Sequence, residues 1–235
     1  MRIMKIYKNL IITILILSCL VLTPVKIYAQ QKITFGLHAD PVISWFKSDI
    51  KETRNDGSRA GFNFGLTFNK YFSPNYSFST GISIVNAGGR ILSRDTTVLN
   101  LGKNGKLLTT VLPDKQVIYK IQYLSIPLGL KLQTNQIGYI TFFSDLGIDP
   151  KVVIGGKADV PSLDITGEKA LSELRVFNLS YHITGGIEYS LGGTTAMVLG
   201  LSFDNNFLDI TKDPGNQPSD IVSHKLLSFR IGVNF

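Results

Sequence analysis

Little in this sequence can cross-link, coordinate or catalyse. Its 235 residues include one cysteine, one tryptophan and three histidines. The cysteine, Cys19, lies inside an N-terminal apolar run, so the chain beyond that run has no thiol. A disulfide framework and thiol chemistry are therefore excluded there. No HxxxH-type spacing joins His38, His182 and His224, and no GxSxG elbow is present, so no motif calls for a cofactor or a metal. The longest apolar run, Leu10 to Leu22, is shorter than the roughly 20 residues of a membrane-spanning helix. After residue 29 no long segment keeps an apolar period of 3.6, which excludes a helical domain.

The first 29 residues read as a signal peptide. Arg2, Lys5 and Lys8 precede the apolar run, Pro24 ends it, and Ile27-Tyr28-Ala29 precede a cleavage point after Ala29. Ile16-Leu17-Ser18-Cys19 loosely resembles a lipoprotein box, but Leu20-Val21-Leu22 carry the apolar run past the cysteine. The remainder, 30–235, is read as one domain. Four of the 24 basic residues and none of the 17 acidic ones fall before residue 30, which takes the formal charge from +7 to +3. No basic helical stripe or stacking motif accompanies that small excess, so nucleic acid is not expected as a partner.

What the chain does have is alternation. Eight segments show a period of two: 33–45, 59–72, 76–91, 117–133, 138–154, 175–190, 194–209 and 224–235. In the second, Phe62, Phe64, Leu66 and Phe68 alternate with Gly61, Asn63, Gly65, Thr67 and Asn69. The last sets Leu227, Phe229, Ile231, Val233 and Phe235 against Ser228, Arg230, Gly232 and Asn234. Such a strand, ending on an aromatic, suits the closing strand of a transmembrane barrel. Tight turns at 73–75, 135–137 and 191–193 alternate with long polar stretches at 46–58, 92–116, 155–174 and 210–223. Short periplasmic turns and longer external loops have this rhythm. Tyr71, Phe72, Tyr76, Tyr139, Tyr189 and Phe235 cluster at the short-turn end, where an interfacial girdle belongs. The expectation is an all-β chain: an eight-stranded antiparallel transmembrane β-barrel of meander topology, monomeric, integral to a bacterial outer membrane. Pro127 falls mid-strand and calls for a bulge; Pro41 and Pro150 are expected to interrupt strands one and five. A soluble barrel with its apolar face inward is the structural alternative, since alternation does not say which face is inside.

Tyr123-Leu124-Ser125-Ile126-Pro127-Leu128-Gly129-Leu130-Lys131 resembles the YLxIPLxLK segment of the PorT-type outer-membrane β-barrel family of Bacteroidetes. The resemblance extends over 30–235 through the Gly-rich strand pairs and the terminal Phe. It implies a porin-like outer-membrane barrel of a Gram-negative bacterium, with a role in type IX secretion as the founding member's association. The last strand departs from the usual assembly signal at Arg230, where Gly is common, while Val233 and Phe235 fit.

Five to seven residues in from the tight turns, the inward positions include Lys131, Asp145, Glu188 and Arg230, beside Gly65, Gly81, Gly186 and Gly200. Two acids and two bases at one depth suggest a network that fills the lumen rather than a pore. His38 with Asp40, and His182 with Asp204, are candidates for a metal or proton relay, with ordinary polar lining preferred. His38 and His182 are the histidines expected to face inward. Ser180, His182 and Glu188 share a face and are the sole candidates for a hydrolytic set. Loop 46–58 carries Lys47, Lys51, Arg54 and Arg59 among Asp49, Glu52 and Asp56, a solvated rim or a contact for lipopolysaccharide phosphates. The reading is a barrel with a structural or interaction role and no catalysis, in contact with outer-membrane lipid and lipopolysaccharide and with the barrel assembly machinery during insertion. Its rivals are an accessory of type IX secretion, a narrow porin-like channel, and a lipid A or phospholipid-modifying barrel enzyme.

Overall fold

The computed structural model describes residues 32–49, 53–212 and 221–235. The signal-peptide segment, and parts of the loops at 46–58 and 210–223, lie outside the described residues. Eight long strands form the wall. They are β1 (Ile33–Ser48), β2 (Arg59–Ser73), β3 (Tyr76–Ser93), β4 (Lys115–Ser125, resuming as Leu128–Gln133), β5 (Ile140–Val160), β6 (Phe177–Gly192), β7 (Thr195–Asn206) and β8 (Val222–Asn234). Each pairs antiparallel with the next, and β8 pairs with β1, so the meander is closed. Closure reaches the last residue: Phe35 and Phe235 exchange backbone hydrogen bonds at 3.0 and 2.8 Å.

The register sets the barrel's shape. From Thr34, successive partners are Asn69, Ser79, Gly129, Gly147, His182, Asp204 and Leu226, and Leu226 pairs with Ser44. The circuit thus returns to β1 ten residues above its start. For eight strands that stagger tilts them by about 40° and leaves an interior just wide enough for side chains. Because ten is even, the circuit also returns to the same face of the sheet.

That inner face is polar. Thr34, His38, Asp40, Asn63, Asn69, Ser77, Ser79, Lys131, Asp145, Asp149, Lys151, Ser180 and Ser228 are all buried. The outer face carries Phe35, Leu37, Phe64, Leu66, Phe78, Ile82, Leu146, Ile148, Leu201, Phe229 and Ile231, each at least 40% exposed. Water would penalise such a surface; hydrocarbon favours it. The soluble-barrel alternative required the reverse partition. At the short-turn edge Phe72 packs on Tyr76 and Phe78, and Tyr139 on Tyr189, as interfacial aromatics do. Tyr181, Phe203 and Phe207 form a second aromatic cluster toward the other edge.

The prolines behave differently from expectation. Pro127 breaks β4 without a bulge: Ser83 pairs with Ser125 and Thr80 with Leu128, the same register on both sides. The preceding residue keeps its bond, with the Ile126 N–H donating to the Pro150 carbonyl at 3.0 Å. The bulge lies instead in β5, where Gln122 faces Gly155 and Tyr123 faces Val153, leaving Ile154 extra. Pro41 and Pro150 interrupt neither β1 nor β5, since each sits within a continuous strand and pairs with Phe62 and Leu179 respectively. Pro41 does mark a gap in the closing seam, between the pairs His38–Gly232 and Val42–Ser228. There the Asp40 carboxylate accepts the Ile231 N–H at 3.1 Å.

Past the membrane the strands continue and close over. A hairpin of Thr97–Leu101 and Leu107–Val111 and two short 3-10 turns, Pro161–Leu163 and Leu171–Glu173, belong to this end. Leu99, Leu101, Val111, Val160, Ala170 and Leu174 are buried together, in one apolar cluster with Phe46, Tyr119, Ile121, Ile210 and Val222 from the upper lumen. The buried Glu173 accepts bonds from the Asn100 backbone N–H and side-chain amide, at 2.7 and 3.0 Å, and so ties the hairpin to the second turn.

Leu66 lies outward between Leu37 and Ile82, in the middle of the apolar band. Leu66→Arg is expected to cost about 2–4 kcal/mol of stability, measured by urea unfolding in lipid vesicles.

Candidate functional site

The lumen is stacked in polar layers because the strands alternate and the outside is lipid. Nearest the short turns, β4 and β6 bring Lys131 and Glu188 together at 2.5 Å. Glu188 also accepts from Gln133 and Asn234, each at 2.8 Å, and the Tyr71 hydroxyl donates to Gln133 at 2.6 Å. Lys131 is 4% exposed and its ammonium lies 4.7 Å from the centre of the Phe143 ring. Each charge has an opposite charge and further donors or an aromatic face, which is what a buried ion pair requires. Below them opens a mouth of about 280 Å³, lined by amides and hydroxyls such as Asn75, Asn135, Thr141 and Thr195.

The next layer centres on two histidines. On β6, His182 Nδ1 lies 2.9 Å from Asp149 Oδ1 and Nε2 lies 3.6 Å from Asp145 Oδ1. On β1, His38 Nδ1 meets Asp40 at 2.8 Å, and Asp40 also faces Asn63 at 3.2 Å and Arg230 at 3.4 Å. Glycines make room for this layer. A Cβ on Gly129 would stand 2.3 Å from Asp145 Oδ1, and one on Gly147 2.7 Å from His182 Cε1. Above, Lys151 pairs with Asp204 at 2.5 Å, and the Ser180 hydroxyl donates to Asp204 at 3.1 Å. A cavity of about 60 Å³ runs between these layers, lined by His38, Asn63, Asp145, Asp149, Lys151, His182, Asp204 and Arg230 among others. Its size and polarity suit a few water molecules.

At the top of the polar column stands Tyr123, whose hydroxyl lies 2.9 Å from His224 Nδ1. His224 Nε2 is 3.2 Å from the Gly88 carbonyl, which only accepts, so Nε2 carries the proton and Nδ1 accepts from Tyr123. The ring of Phe46 covers His224 at 4.8 Å, and the apolar cluster begins there. His224 is therefore an inward, fully buried residue, contrary to the expectation that only His38 and His182 face the lumen. It shares the parity of Ser228 and Arg230 on β8.

The four charges singled out from sequence are distributed among separate partners. Lys131 meets Glu188; Asp145 turns to His182, although its backbone pairs with Lys131; Arg230 joins Asp40. His182 faces Asp145 and Asp149, while its cross-strand neighbour Asp204 belongs to Lys151. Sequence reasoning overlooked Asp149 and Lys151, which lie farther along β5; parity with Asp145 was the signal that marked them as inward. Ser180, His182 and Glu188 do not converge, since Ser180 bonds Asp149 and Asp204 and Glu188 lies at the mouth. Among the described residues no group of three or more His, Cys, Asp or Glu could hold a metal ion. Of the charges grouped with loop 46–58, Arg59, the first residue of β2, donates to the Ala87 carbonyl at 3.1 Å, Asp56 accepts from Gln116, and Asp49 accepts the Ile221 N–H at 2.8 Å. Lys51 and Glu52 lie outside the described residues.

The segment 123–131 has a division of labour. Tyr123 and Lys131 enter the lumen, while Ile126, Leu128 and Leu130 face lipid. In the terminal strand Phe229, Ile231, Val233 and Phe235 face lipid, and Arg230 faces inward to Asp40.

Glu188→Ala leaves Lys131 buried without its counter-charge and is expected to cost about 3–5 kcal/mol in equilibrium unfolding. Pairing it with Lys131→Met should restore a large part of that loss, because the double variant buries no unpaired charge.

The chain is distantly similar to solved outer-membrane proteins. No curated protein matches it. Neisserial surface protein A shares 12% identity at a TM-score of 0.45, covering 85% of this chain and 95% of its own. Ail, the attachment invasion locus protein of Yersinia pestis, shares 14% at 0.44, covering 88% and 100%. The outer membrane protease OmpT from Escherichia coli shares 6% at 0.40, covering 88% and 97%. Likenesses this distant carry no argument about activity. A family model described as an outer membrane protein beta-barrel domain matches residues 26–212, most of the sequence. The chain belongs to that family of outer-membrane β-barrels.

Proposed function

We propose that this barrel works through its external loops, as a structural or interaction protein of the outer membrane, rather than by conduction or catalysis. The observation that carries this reading is the closed lumen. Ion pairs fill its lower part, and the apolar cluster around Phe46, Tyr119, Ile121 and Val222 blocks its outer end. A conducting path needs a continuous wet column, and apolar constrictions dewet. Beyond the barrel wall stands a tied hairpin whose Leu107 and Leu108, with the nearby Leu112, are exposed. Large exposed apolar residues beyond the lipid band mark a contact surface.

The finer assignment, a PorT-type protein with an accessory part in secretion, is supported by the 123–131 segment. Its Tyr123 and Lys131 anchor two lumen layers in this fold. Purified protein should show heat-modifiable gel mobility and no reproducible conductance in planar bilayers. Reproducible channels altered by substituting Lys131 or Arg230 would replace this reading with that of a narrow pore.

A further inference from the structure

Where the wall leaves the lipid, its outer face turns from apolar to cationic within a few residues. Along β4 the outward series from the membrane is Leu130, Leu128, Ile126, Leu124, Gln122 and then Lys120. Along β5 it is Leu146, Ile148, Val152 and Ile154, and after the bulge Lys157. The register sets Lys120 directly beside Lys157, and Lys157 directly beside Lys169 of the short strand Ile165–Lys169. Three lysines therefore stand in a row on one face of three adjacent strands. On β3, Gly88 pairs with Lys120, and Arg90, two residues on, adds a fourth exposed cation diagonally.

Like charges directly opposite one another destabilise a sheet. The protein compensates this row only in part. Asp159, two residues past Lys157 on the same face, forms an ion pair with Lys120. Burial pushes the Asp159 carboxyl up, but the Lys120 ammonium and the Gly167 N–H outweigh it and hold the group below its ordinary range. That one carboxylate thus serves Lys120. Lys157 and Lys169 are exposed and make no ion pair among the described residues. At the same edge the nearby Arg175 has its own partner in Asp209.

We propose that Lys157, Lys169 and Lys120, with Arg90, bind the phosphate groups of an outer-leaflet lipid. Side chains directly across a strand pair have Cβ atoms about 4.5–5.5 Å apart, close enough for neighbouring ammonium groups to share one phosphate. The apolar strip immediately beneath, Leu124, Ile126, Val152 and Ile154, offers the acyl chains a surface continuous with the headgroup site. That continuity selects a lipid-borne phosphate over a free one. The site lies on β3, β4, β5 and the short strand Ile165–Lys169, and meets loop 46–58 at Arg90, whose carbonyl accepts the Asp56 N–H at 3.1 Å. It follows from register and charge, independently of what the loops contact.

The test uses the full barrel in neutral detergent and native mass spectrometry, with bisphosphorylated lipid A, its dephosphorylated form and inorganic phosphate as probes. Wild type should retain lipid A, and Lys157→Gln/Lys169→Gln should bind it about tenfold more weakly or worse. The control pair Lys70→Gln/Lys225→Gln, with Lys70 exposed at the short-turn end of β2, should bind as wild type. Dephosphorylated lipid and inorganic phosphate should bind wild type no better than lipid A binds the double variant. Equal retention of lipid A by the double variant, or equal binding of the dephosphorylated form, overturns the proposal. Heat-modifiable mobility checks that the double variant is folded. In lipid-free detergent at low salt, Lys157→Gln should raise the thermal midpoint by relieving repulsion; a lowered midpoint also overturns the proposal.

Discussion

A backbone inside hydrocarbon finds no water to bond, so every N–H and C=O in the wall must be paired within the protein. The rest of this structure follows from that demand. It forces β8 onto β1 and carries the ladder to the final residue, where Phe35 and Phe235 bond each other. It also explains the seam at Pro41. Proline brings no donor, the pairing lapses for a few residues without a change of register, and the Asp40 carboxylate accepts the N–H of Ile231 there. At Pro127 the same demand leaves the register intact, because Ile126 still donates to Pro150.

Closure at this stagger leaves an interior that side chains must fill, and alternation makes those side chains polar. Charges in a confined interior persist only in company. Hence each lumen charge has a partner: Lys131 has Glu188, Lys151 has Asp204, His182 has two aspartates and Arg230 has Asp40. Glycines at 129 and 147 leave the space that those aspartate and histidine side chains occupy. Above His224 the inner face becomes apolar, because the wall there rises past the lipid and holds a small globular core of its own. One wall therefore serves two solvents: in the membrane its apolar face looks out, and beyond the membrane apolar residues look in.

Much of this architecture was legible in the residues. A period of two is a local property, so eight strands and the short and long connections emerged with boundaries within a few positions. The largest extension, β5 running to Val160, was hidden because the bulge at Ile154 shifts the alternation by one residue. The lumen was legible as a set but not as pairs. Lys131, Asp145, Glu188 and Arg230 were placed inside, yet Asp145 and Arg230 found His182 and Asp40 instead of each other. Partner choice depends on which strands meet at which height, and the ten-residue stagger carries strand neighbours to different depths. The row of Lys120, Lys157 and Lys169 was invisible for the same reason, since its members come from separate strands and lie beyond a bulge.

Residue order thus established an all-β chain of eight alternating strands and a closing strand with one greasy face, because alternation is written between adjacent side chains. It left open which face turns inward, since a soluble barrel and a membrane barrel share the same pattern. It also left open how the interior charges pair and where the cations gather outside. Those depend on register and stagger, which sum small contributions from every strand pair around the ring and have no local signature in the chain.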